Sequence, residues 1–321
     1  MSLETTTTIR TKSKKSRSLL QDVFIRLITQ KPLGLVGGII VLIMLLTGIF
    51  ANFLAPHSYS EYISGQFLKP PSINYPMGTD NVGRDIFSRV IYGARVSMIV
   101  GLSGAFIDVM IAAFIGILCG YIGGKLDLIV QRFVDAFMCF PALMLVITVM
   151  SIVGNGMTQI TVVLGIVWGI GGSRIVRGAV ISIKENVYIE AARSIGASLL
   201  KMITRHLLPN IMAPLIVLFT IAVGGIILAE ASMSFLGYGI PPPTPSWGGM
   251  LSGNGRYYMQ LAWWMAFWPG LALTTAVFGV NMLGDALRDL FDPRLRGGLG
   301  RFNLSKVNKI KNKIDNLNRN K

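Results

Sequence analysis

Six apolar runs divide the chain, over residues 33–54, 96–121, 133–153, 159–183, 211–237 and 262–283. Each is near or above the roughly 20 residues that a helix needs to cross the hydrocarbon of a bilayer. The first run has 22 residues without a charge. That exceeds the apolar core of about 7–15 residues in a signal peptide, so a retained transmembrane helix is expected there. The pattern predicts an all-α, polytopic membrane protein with about six transmembrane helices. Asp108, Asp135 with Pro141, Arg174 with Arg177, and Glu230 interrupt four of the runs. Trp263 and Trp264 open the last one, as in the aromatic belt at a membrane surface.

Between the fourth and fifth runs, residues 187–209 follow a different pattern. Apolar positions recur at Ile189, Ala192 and Ile195, then at Leu199, Leu200, Ile203 and Leu207, with Glu190, Arg193, Lys201, Arg205 and His206 between them. The spacing of three and four predicts two short amphipathic helices. Gly196 would turn the corner between them, since glycine tolerates positive φ, and Pro209 would restart the chain into the fifth run. Such a hairpin serves either as a dock for a partner or as a helix lying in the lipid interface.

Charge decides which side the hairpin is on. Of 321 residues 14% are charged, against about a quarter in soluble domains. With a cytoplasmic N-terminus, 25 of the 30 Lys and Arg fall on segments 1–32, 122–132, 174–210 and 288–321. Cytoplasmic loops carry this excess, so both termini and the hairpin are expected inside. The same placement explains the net charge of +15 without nucleic acid. The expected division is a cytoplasmic arm over 1–32, a first helix over 33–54 and an extracytoplasmic loop over 55–95. A helical core over 96–296 and a cytoplasmic tail over 297–321, where lipid contact is plausible, complete it.

Little in the chain suggests catalysis. It lacks the G-x-x-x-x-G-K-[ST] loop that cradles ATP phosphates, and H-E-x-x-H and G-x-S-x-G are absent too. His57 and His206 fall on opposite sides of the assigned topology, so they form no metal site within one chain. Cys119 and Cys139 lie in apolar surroundings without metal-site spacing and read as packing residues. Asp80, Arg84, Asp85 and Arg89 read as a local ion-pair cluster, and the proline-rich 239–248 segment as a stiff lid with Trp247 near the interface. Gly116, Gly120, Gly123 and Gly124 suit close helix packing. Asp108 and Glu230 are the acids to explain, because a carboxylate at the bilayer centre costs about 2.5–3.5 kcal/mol. Each either lines a translocation path or makes a buried bond to a neighbouring helix or subunit.

Several motifs in order carry a family resemblance. The hairpin reads E-A-A-x-x-x-G at Glu190, Ala191, Ala192 and Gly196, then R-H-x-L-P-N from Arg205 to Asn210. Others are G-T-D-x-x-G-R-D from Gly78, Y-G-A-R-V-S from Tyr92, A-E-A-S-x-S-F-L-G from Ala229, P-P-T-P-S-W-G from Pro242 and L-G-D-A-L-R-D-x-x-D-P-R from Leu283. Together they resemble the permease subunits of bacterial ABC importers, in the dipeptide/oligopeptide (nickel) branch and its C-type partner. His206 departs from the wider pattern, which has isoleucine there.

The resemblance implies a type I importer fold in the cytoplasmic membrane of a bacterium or archaeon, paired with a second homologous permease subunit. Two ATPase subunits would bind ATP and magnesium, and an extracytoplasmic solute-binding protein would deliver substrate. Glu190, Ala191, Ala192, Arg193, Gly196 and Pro209 would form the coupling hairpin seated in an ATPase cleft. Di- or oligopeptides are the expected substrates, and similar relatives carry nickel or metal chelates, glutathione or oligosaccharides. Asp108 would attract a peptide amino-terminus or another cationic substrate, or pair across the permease interface. A secondary transporter driven by an ion gradient would also use membrane acids, and would need no ATPase.

Overall fold

In the computed structural model, the described residues are 27, 31–258 and 260–291. The tail expected over 297–321 lies outside them, as does the arm over 1–32 apart from Leu27, Lys31 and Pro32. Among these residues the regular structure is helical, with one isolated bridge between Thr79 and Asp85. The chain runs through α1 (Pro32–Ile49), α2 (Ala51–Leu54), α3 (Ile86–Ile122), α4 (Gly124–Met138), α5 (Ala142–Val153), α6 (Met157–Lys184) and α7 (Val187–Ser194). Then come α8 (Leu199–Met202), a π turn (Ile203–Leu207), α9 (Leu208–Phe235), α10 (Trp247–Leu251), α11 (Asn254–Tyr257) and α12 (Trp264–Phe291).

Five helical stretches are long and apolar enough to cross a bilayer: α1, α3, α6, Leu199–Phe235 and α12. The expected third span is not one helix, because α4 and α5 are bent by 88° at the break containing Pro141. Proline removes an amide donor and pushes the preceding residue out of helical geometry. The pair still crosses. Lys184 Nζ donates to Tyr121 O at 2.6 Å, which brings the ends of α3 and α6 together. Asn155 Nδ2 donates to Gly237 O at 2.9 Å, at the far end of α9. Between Tyr121 and Asn155 the chain therefore passes from one end of the bundle to the other. Six crossings result, the third of them broken, and both Lys31 and Asp289 sit with the hairpin, where their side chains form an ion pair.

Two other expectations change. The loop before α3 ends earlier than residue 95, because Asp85 caps the helix by accepting from the Ser88 amide at 2.9 Å. Asp85 thus takes no part in the ion cluster, which consists of Arg84 Nε on Asp80 Oδ2 at 2.6 Å with Arg89 at 4.0 Å. The helix also does not stop at Pro209. A proline ring clashes with the carbonyl four residues back, here Arg205. The wider π turn just before Pro209 shifts that carbonyl, and the helix continues into α9.

Small residues set the spacing of the bundle. On α6, a Cβ at Gly165 would meet Ile107 Cβ at 2.6 Å, and one at Gly169 would meet Asp108 O at 2.8 Å. Gly116 and Gly120 of α3 face Val176 and Val180 in the same way. Gly123 and Gly124 instead turn the chain between α3 and α4, with φ of +69° and +61°. Close approach of this kind lets dispersion hold membrane helices together where lipid is as apolar as the side chains. Val100, Val146, Met150, Leu164, Ile226 and Ile227 fill the main core among α3, α5, α6 and α9.

Candidate translocation groove and coupling hairpin

The hairpin is built on a small core of its own. Ile189 and Ala192 of α7 pack with Met202, Leu207 and Ile211, joined by Ile117, Val176 and Val180 from α3 and α6. Gly196 turns the corner with φ +80°, its amide donating to Arg193 O at 2.9 Å, and open space surrounds the place of a Cβ. The outer face is left bare: Val187 is 80% exposed, Ile195 86%, and Tyr188, Ala191 and Leu200 are exposed beside them. Among the expected coupling residues, Glu190, Ala191, Arg193 and Pro209 are exposed, whereas Ala192 faces the protein's own core. Sequence reasoning did not single out Tyr121. Its ring receives Arg193 Cζ at 5.8 Å and Lys184 Nζ at 5.7 Å, so two cations from α7 and α6 meet the end of α3.

Asp108 lies deep in the bundle, 1% exposed. It lines a groove of about 480 Å³ whose walls include Phe137 and Phe140 from the α4–α5 bend, Trp168 and Gly172 from α6, and Leu218 and Gly225 from α9. The carboxylate lies close against Gly172: a Cβ there would be 3.2 Å from Asp108 Oδ1 and 3.3 Å from Leu218 Cδ2, a tight approach. Oδ1 is buried without a hydrogen-bond partner. The two arginines nearest on α6 are engaged elsewhere. Arg177 holds Asp127 of α4 through two bonds of 2.6 Å, and Arg174 pairs with Asp135.

Glu230 is not in this groove. It sits near the loop end of α9, where Ser234 Oγ donates to its Oε1 at 2.6 Å and accepts from the Ile240 amide at 3.1 Å. That carboxylate ties α9 to the proline-rich segment, which folds down onto the bundle. Trp247 is accordingly buried, 1% exposed, rather than at the interface. Its Nε1 donates to Val90 O at 3.1 Å, and the indole lies where a Cβ on Gly93 would be. Trp264 is buried as well, donating to Thr79 O at 3.1 Å, while Trp263 stays exposed. Cys119 is buried, as a packing residue should be, but Cys139 is exposed at the bend.

Helices long and apolar enough for five or six crossings, around an apolar groove that holds one buried carboxylate and with an amphipathic hairpin at one end, mark a multi-pass membrane protein. Residues 112–297 match the family described as binding-protein-dependent transport system inner membrane component, and the chain belongs to that family. Residues 18–71 match the N-terminal TM domain of oligopeptide transport permease C. The chain is 38% identical over 283 residues to the dipeptide transport system permease protein DppC of Bacillus subtilis, covering 88% of each. It is 37% identical over 284 residues to the oligopeptide transport system permease protein OppC of the same organism, covering 88% of this chain and 92% of that one. The glutathione transport system permease protein GsiD of Escherichia coli is 37% identical over 275 residues, or 85% of this chain and 90% of its own.

Proposed function

We propose that this chain forms one half of a peptide-conducting path, and that separate ATPase subunits drive it through the 187–209 hairpin. The carrying observation is the bare apolar face of Val187, Tyr188, Ile195 and Leu200 at the bundle end where basic residues collect. Exposed apolar patches outside the hydrocarbon mark protein contacts, and the excess of Lys and Arg on this side supports a cytoplasmic position for it. The rigid core beneath it, with Tyr121 gripped by Lys184 and Arg193, joins the hairpin to α3 and α6. Movement of the hairpin would therefore tilt the two helices that border Asp108.

Short peptides are the substrates favoured by the dipeptide and oligopeptide relatives, and glutathione is a tripeptide of the same chemistry. A second, homologous permease closes the path, and an extracytoplasmic binding protein loads it. Gly196→Asp and Glu190→Lys alter the corner and the exposed face without touching the core. Both variants should insert and assemble, yet lose about tenfold or more in peptide uptake, as for the loss of an interface hot spot. In proteoliposomes the loaded binding protein should no longer stimulate their ATP hydrolysis. Normal transport in both variants would remove the coupling role, and uptake that survives ATP depletion with the ion gradient intact would point to secondary transport.

A further inference from the structure

We infer that Asp108 is the groove's station for a positively charged substrate group, and that on a peptide this group is the amino-terminal ammonium. The inference rests on the peptide reading above. Three observations carry it. The carboxylate is unpartnered: it makes no hydrogen bond or ion pair among the described residues, although it is almost fully enclosed. It also stands alone as a charge. The groove is otherwise lined by apolar side chains, glycines and the indole of Trp168, and the neighbouring Arg174 and Arg177 are bound to Asp135 and Asp127. Finally, three aromatic side chains, Phe137, Phe140 and Trp168, are among those that line the same groove.

A lone carboxylate in a groove that also holds aromatic rings suits an organic ammonium, which takes one charged hydrogen bond and can rest its remaining surface on π faces. It does not suit a bare divalent ion. Calcium and magnesium require several oxygen ligands and transition metals several nitrogen or sulfur donors, and no group of three His, Cys, Asp or Glu exists among the described residues. The remaining apolar wall would accept the first side chain of the peptide with little selectivity, as a path for many sequences requires. Gly171, Gly172 and Gly225 keep that wall open.

The test uses the whole importer with its binding protein in proteoliposomes. Two probes are compared, trialanine and its des-amino analogue propionyl-Ala-Ala, each at a concentration that fills the binding protein. The wild type, Asp108→Asn and Asp108→Glu are measured for maximal uptake, complex assembly and basal ATP hydrolysis. Asp108→Asn should lower maximal uptake of trialanine by about tenfold, the scale of one charged hydrogen bond. It should leave the analogue unchanged, and Asp108→Glu should retain most of the trialanine rate.

An equal loss for both probes, or impaired assembly of Asp108→Asn, would make the residue a structural or subunit-interface charge and overturn the inference. Unchanged trialanine uptake in Asp108→Asn would overturn it as well. Failure of the wild type to carry either probe, with Asp108→Asn altering uptake of some other cation, would instead reject the peptide reading and leave the cation station standing.

Discussion

At Gly165 a side chain would have no room, since Ile107 Cβ and Gly104 O already lie within 3 Å of where its first carbon would be. Gly165→Leu should therefore push α3 and α6 apart, at the roughly 1–3 kcal/mol typical of overpacking. A lower melting temperature of the detergent-solubilised complex would register it, and an unchanged one would show that the seam is loose. Asp108 was visible in the sequence as a charge inside an apolar run, but its isolation was not. That depends on Arg174 and Arg177 turning toward α4, a contact between residues far apart in the chain. Trp247 misled for a similar reason. Tryptophan near a predicted span suggests the interface, yet Gly93, more than 150 positions away, leaves a slot that buries it.

Among the elements, the hairpin was the most legible, because apolar positions at helical spacing alternate there with Glu190, Arg193, Lys201, Arg205 and His206 between two apolar runs. Its facing was implicit too: Ile189 and Ala192 are three apart and share the buried side, which leaves Ala191 outward. The course of the chain at Pro209 was not, since a π turn has no sequence signature beyond the proline it accommodates. The bend between α4 and α5 was half legible, with Pro141 marking a break but nothing marking its angle. The grip on Tyr121 predicts a separable function for this end of α3. Each cation–π contact contributes about 0.5–1 kcal/mol at exposed sites, too little to hold the fold by itself. Tyr121→Leu should leave assembly intact while peptide delivered per ATP hydrolysed falls; a Tyr121→Phe control should preserve the ratio. If both variants transport normally, motion passes from the hairpin by its apolar core alone.

Across the whole molecule, six crossings place Lys31, the hairpin and Asp289 at one end and the long loop before α3 at the other. Ile73 is 99% exposed in that loop. In a background with Cys139 replaced by serine, a membrane-impermeant thiol reagent should modify Ile73→Cys in intact cells. It should reach Val187→Cys only after the membrane is opened, and the reverse pattern would invert the topology. The broken third crossing also bears on what surrounds the protein. A backbone that leaves helical geometry within the membrane exposes amides and carbonyls that acyl chains cannot satisfy, so such segments persist only against protein or water. The break at Cys139–Pro141 adjoins Phe137, Met138 and Phe140 on the rim of the groove. If the break lies at hydrocarbon depth, that flank of the groove must therefore be covered by protein or water and not by acyl chains.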